Sequence, residues 1–62
     1  GKAVIIEIKV AKSCQELGQK CEEALKQIEV KNYEAELLRE GYQDIMKYGV
    51  AFYKKECMVK LG

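Results

Sequence analysis

Histidine, tryptophan and proline are missing from this 62-residue chain, phenylalanine occurs once and cysteine three times. Without histidine there is no Ser-His or Cys-His nucleophile and no imidazole ligand. Any catalysis must run on carboxylates, lysines, amides or a metal held by oxygen. Without proline, repeats or low-complexity tracts, no linker is visible, and residues 1–62 read as a single domain. No apolar run approaches the roughly 18 residues needed to span a bilayer, and no signal-peptide pattern is present. Both absences point away from the membrane and towards a cytoplasmic protein. Cys14 and Cys21 lie seven apart on a predicted helix, roughly 10 Å between Cα atoms and beyond disulfide reach. With no C-x-x-C pair, a structural zinc site is poorly supported, and the expectation is three reduced, mostly buried thiols.

What the chain does have is 48% hydrophobic and 34% charged residues, the balance of a globular protein. Eleven basic against ten acidic side chains leave a net charge of +1, too little by itself to mark a binder of nucleic acid or membrane. A chain this short hides only about 60% of the surface its unfolded form exposes, so its stability is expected to be marginal without a partner, a metal or disulfides. It begins Gly-Lys without a Met and reads as an excised or trimmed segment.

Ala3 to Val10 is dense in β-branched residues and predicts a strand, with Val4, Ile6, Ile8 and Val10 on one face and Ala3, Ile5, Glu7 and Lys9 on the other. Apolar on both faces, it reads as a central strand of a covered sheet. Ser13-Cys14-Gln15-Glu16 matches a capping box and opens a helix running to about Val30. Its apolar stripe is Leu17, Cys21, Ala24, Leu25 and Ile28. Glu16–Lys20 and Glu22–Lys26 are spaced as supporting ion pairs. Gly18 weakens the helix by about 1 kcal/mol, as if something packed close against it.

Asn32 is placed to cap a short second helix through Tyr33, Leu37 and Leu38, and Gly41 to end it. Ile45 to Tyr53 and Cys57 to Leu61 predict two further strands joined as a hairpin. The expected class is α/β: strand, helix, short helix, strand, strand, forming a three-stranded mixed sheet with the first two strands parallel.

Charge divides unevenly: residues 1–12 carry +2 (three Lys, one Glu), 13–40 carry −3 (four basic, seven Glu), and 41–62 carry +2 (four Lys, two acids). Nucleic acid is therefore a candidate partner, with Lys2, Lys9, Lys12 and the Lys54-Lys55 tip as a basic patch. About four phosphate contacts would give a log-log salt slope near −3 to −4.

Glu7-Ile8-Lys9 needs a separate account, because side chains two apart share a strand face and both charges are costly to bury alone. One reading is an ion pair on a solvated face. The other is a site in which Glu7 holds a hard cation such as Mg²⁺ while Lys9 orients a water or stabilises phosphate charge.

The run AVIIEIKVAKS, the helix segment CEEALKQIEVKNY and the segment GYQDIMKYGVAFYKKECMVKL together resemble the C-terminal part of a PD-(D/E)xK nuclease-superfamily domain. More narrowly, they are similar to the version found at the C-terminus of bacterial proteins with an AAA-ATPase-like domain. The resemblance implies a fragment of the restriction-endonuclease-like core and a Mg²⁺- or Mn²⁺-dependent DNA phosphodiester hydrolase. Glu7 would be the metal ligand, Glu7 and Lys9 the signature pair, and Gln27 a further site residue, with Tyr33 near it. Helix phase puts Gln27 on the shoulder of the apolar stripe, about 100° from its middle. Tyr33 reads as a core or interface aromatic.

In that superfamily an Asp on a preceding strand completes the metal site, and here it is expected to lie before Gly1. Asp44 follows the helices and is not its replacement. The 62 residues are therefore expected to hold half of a site and to lack nuclease activity alone. A homodimer is expected, because one helix covers one sheet face and leaves Ile5 and its neighbours bare. A non-catalytic interaction or assembly module is the alternative.

Overall fold

The computed structural model describes residues 1–62. Strand β1 (Lys2–Val10) leads through a single 3₁₀ turn (Cys14–Glu16) into helix α1 (Leu17–Lys31) and short helix α2 (Tyr33–Arg39), followed by β2 (Asp44–Tyr53) and β3 (Glu56–Leu61). The strands form one mixed sheet in the order β1-β2-β3, with β1 and β2 parallel and β2 and β3 antiparallel. This is the α/β arrangement that the sequence predicts, with element boundaries shifted by a residue or two.

Position in the sheet differs from expectation. β1 is an edge strand and β2 is central. The reason lies in side-chain size: Gly49 and Ala51 of β2 are buried beneath α1, so the strand with the least bulk admits the helix. A Cβ added at Gly49 would run into the Cys21 carbonyl and come within 2.9 Å of Leu25 Cγ, so α1 rests directly on the β2 backbone. The Cys21 thiol donates to the Met58 carbonyl oxygen at 3.2 Å, extending the same contact to β3. Leu17, Cys21, Ala24 and Ile28 form the buried stripe, as their spacing predicts.

Which side of β1 is covered also differs. Ile5 is 9% exposed and faces α1, together with Glu7 and Lys9. The bare side is the other one, where Ile8 is 58% and Val10 77% exposed. Of the thiols, only Cys21 is buried; Cys14 and Cys57 are exposed, and all three are free.

Local chemistry explains smaller shifts. Ser13 makes no side-chain cap, and the Glu16 carboxylate accepts instead from the Lys12 amide at 3.5 Å. Asn32 also makes no side-chain cap. It adopts the left-handed conformation (φ 56°) that ends α1, its amide reaching the Ile28 and Glu29 carbonyls. Gly41 ends α2 at φ 100°. Lys20 pairs with Glu23 and Glu22 with Lys60, rather than with their helical neighbours four away. Gly18 has only Lys60 and Met58 side-chain atoms near it, at 3.8 Å, so no close packing requires a glycine there.

Candidate active site

The parallel register sets Glu7 beside Gly49 and Lys9 beside Ala51. Because α1 seats itself on those two small residues, it passes over the middle of the sheet, and the flank above β1 is left for longer side chains. Glu7 fills that flank, its side chain 18% exposed, with Lys31 Nζ at 3.9 Å. Such a pair, with the lysine half in water, contributes under about 1 kcal/mol. Lys9 is half-buried on the same face and joins no ion pair. Glu7 and Lys9 thus do not neutralise each other, which removes the simple surface-pair account of the E-x-K triplet.

Gln27 joins them. It lines, with Lys9, Glu23, Lys26 and Val30, a shallow depression of about 300 Å³ between α1 and β1. Sequence reasoning missed Glu23 and Lys31, yet helical phase carries the signal. They stand four residues before and after Gln27, and side chains four apart share a helix face. Tyr33 is not in the core: it is 38% exposed, with the Lys31 ammonium 5.9 Å from its ring centroid. Lys31 therefore links the Glu7 carboxylate to the Tyr33 ring.

The donor chemistry here, a carboxylate with no histidine, suits a hard cation such as Mg²⁺ or Mn²⁺. The donor number does not. No group of three or more acidic or thiol side chains comes together anywhere in the fold, and Glu7 is the one carboxylate of the signature pair. Asp44 is no substitute: it pairs in register with Lys2, five residues along from the Gly49 that flanks Glu7, and it is exposed. The basic patch is also divided. Lys12 and the Lys54-Lys55 turn follow the paired ends of β1 and β2, where Val10 meets Phe52, whereas Lys2 lies at the far end of the ladder.

A family model described as the PD-(D/E)XK nuclease superfamily matches residues 1–61. The chain belongs to that superfamily. The match runs from β1 through β3, so membership rests on the whole order of elements and not on the E-x-K triplet alone. No curated protein and no solved structure matches the chain. In this PD-(D/E)XK chain, the Glu and Lys of the triplet both turn towards the helix, at the edge strand of the sheet, beside the depression that Gln27 enters.

Proposed function

We propose that this PD-(D/E)XK domain carries the Glu-Lys half of a divalent-metal nuclease centre, acting on DNA phosphodiesters once a second carboxylate completes the donor set. On this reading Glu7 is the metal ligand, Lys9 meets phosphate charge, and Gln27 contacts the edge of the site. A bound Mg²⁺ or Mn²⁺ would supply Lewis-acid stabilisation of a phosphoryl oxygen. The side chains' own part is orientation and charge: Lys9 brings an ammonium that no carboxylate neutralises, and the Lys31 ammonium 3.9 Å away draws the Glu7 carboxylate towards α1. The 62 residues alone, with Glu7 the one carboxylate of the signature pair, are expected to be inactive. The likeness to domains that accompany an AAA-ATPase-like module supports a setting in which the nuclease-like unit is one part of a larger machine.

The observation that carries this reading is the unpaired Lys9 beside a half-buried Glu7 on one strand face. Calorimetric titration with Mn²⁺ or Mg²⁺ tests it. The chain should bind weakly, Glu7→Ala should abolish the heat, and Lys31→Ala should strengthen binding by up to about five-fold, because it removes the cation now competing for Glu7. Equal, negligible heats from the unmodified chain and Glu7→Ala would overturn the metal role. They would favour the second reading, a non-catalytic assembly module, for which the exposed apolar sheet face speaks.

A further inference from the structure

Strand β3 has a neighbour on one side only. The turn Lys54-Lys55 makes Tyr53 and Glu56 the closing pair of the hairpin, and the Gly62 amide donates to the Lys47 carbonyl at 2.8 Å. Backbone groups alternate along a strand, so those of Glu56, Met58, Lys60 and Gly62 turn to β2. Cys57, Val59 and Leu61 therefore turn their N–H and C=O groups to the open edge. The side chains of Glu56, Met58 and Lys60 stand on the α1 side of the sheet, since Met58 and Lys60 pair in register with Ala51 and Gly49. Lys60 Nζ bonds to the exposed Glu22 carboxylate at 3.2 Å, whereas Glu56 joins no ion pair. We propose that β3 pairs antiparallel with the β3 of a second copy of this chain, about a two-fold axis through Met58, joining the two sheets edge to edge.

Parity and charge select that register. An antiparallel pair sets outward-turned residues opposite each other, so the axis passes through a residue and not between two. With the axis at Met58, Cys57 faces the partner's Val59 in a hydrogen-bonded pair and Glu56 faces the partner's Lys60, each contact occurring twice. Opposite charges directly across a strand pair are favourable, and like charges are not. An axis at Lys60 would oppose two ammonium groups, and one at Cys57 or Val59 would leave Glu56 facing no base. Lys60 has three donor hydrogens and can serve Glu22 and the partner's Glu56 together. Charges on an edge strand ordinarily deter pairing; here the two that β3 carries are the ones this register matches. The helices leave room, because α1 lies over β2, three strand spacings or about 14 Å from its copy, wider than the roughly 8–10 Å of helices in contact. β3 is also the edge remote from Glu7. A strand completing the metal site would have to stand beside β1, so it would not occupy β3, and the pairing does not depend on the nuclease reading.

Sedimentation equilibrium of the 62-residue chain, from micromolar to millimolar, should show the 7.1 kDa species passing to twice that mass. Glu56→Lys should weaken association about ten-fold, because both charge pairs become repulsive, and adding Lys60→Glu should restore it to within about three-fold. In a chain whose exposed Cys14 and Cys57 are replaced by Ser, Met58→Cys should give a disulfide-linked dimer on mild oxidation, since a residue on the axis faces its own copy within disulfide reach. Val59→Cys, offset from its copy by two residues, should stay unlinked. A 7.1 kDa species at every concentration would overturn the proposal. So would association that Glu56→Lys leaves unchanged, which would place the contact on the outer sheet face or at β1. A Val59→Cys chain that links as readily as Met58→Cys would refute the register.

Discussion

The two faces of β1 divide its side chains in the reverse of the usual way. In a half-covered sheet the apolar residues ordinarily turn to the core and the polar ones to water. Here Glu7 and Lys9 turn towards α1, and Val4, Ile6, Ile8 and Val10 turn outward. The inversion carries two lessons. An outward face this apolar is an interior surface whose cover comes from elsewhere. Charged residues held under a helix, against the cost of desolvating them, make Glu7 and Lys9 the candidates for chemistry in this fold.

The contrast can be broken most severely from the covered side. Gly49→Ala would force α1 off β2, because the new Cβ meets the Cys21 carbonyl. The expected loss is about 3 kcal/mol, a large part of the stability of so small a domain, and denaturant unfolding measures it. A chain that keeps its midpoint would show that α1 can shift without penalty. Lys9→Leu sharpens the comparison in the opposite sense: placing an apolar residue on the covered face should stabilise the fold by about 1 kcal/mol while removing the ammonium from the site. Loss of stability in that variant would mean that Lys9 contributes to the fold itself. The smallest effect belongs to the other glycine. Gly18→Ala meets no atom closer than ordinary contact, so its gain of up to about 1 kcal/mol comes from helix propensity alone. Measured together, the two glycine variants separate a steric requirement from a backbone-entropy one.

Much of this was legible in the chain. Period-two alternation in AVIIEIKV placed Glu7 and Lys9 on one face, and the stripe from Leu17 to Ile28 gave the buried side of α1. What alternation cannot say is which face the helix takes. That depended on Gly49 and Ala51, small residues in a strand 42 positions along in the register from Glu7 and Lys9, and their meaning appears only when the two strands are set side by side. Strand order was hidden for the same reason, since apolar content suggested that β1 was central and the size of β2's side chains decided otherwise. For Gln27, phase on the helix allowed both the rim of β1 and open solvent, and the fold sets it with Lys9 in one depression. The same phase extends to Glu23, which lines that depression, and to Lys31, which reaches Glu7. The ion pairs were the least legible, because Glu22 and Lys20 had alternative partners within reach and tertiary geometry selected among them.

The parallel ladder also governs when the site exists. β2 and β3 are joined by a two-residue turn, Lys54-Lys55, whereas β1 reaches β2 only after 33 intervening residues have been gathered in. Closing the longer loop costs on the order of 2 kcal/mol more in chain entropy, and β1 has a neighbour on one side only. The helix and hairpin can therefore assemble as a platform before the first strand docks, and that strand is the element most readily released from it. Glu7 and Lys9 ride on that strand, so they meet Lys31 and Gln27 of α1 only when the strand has docked beside the helix.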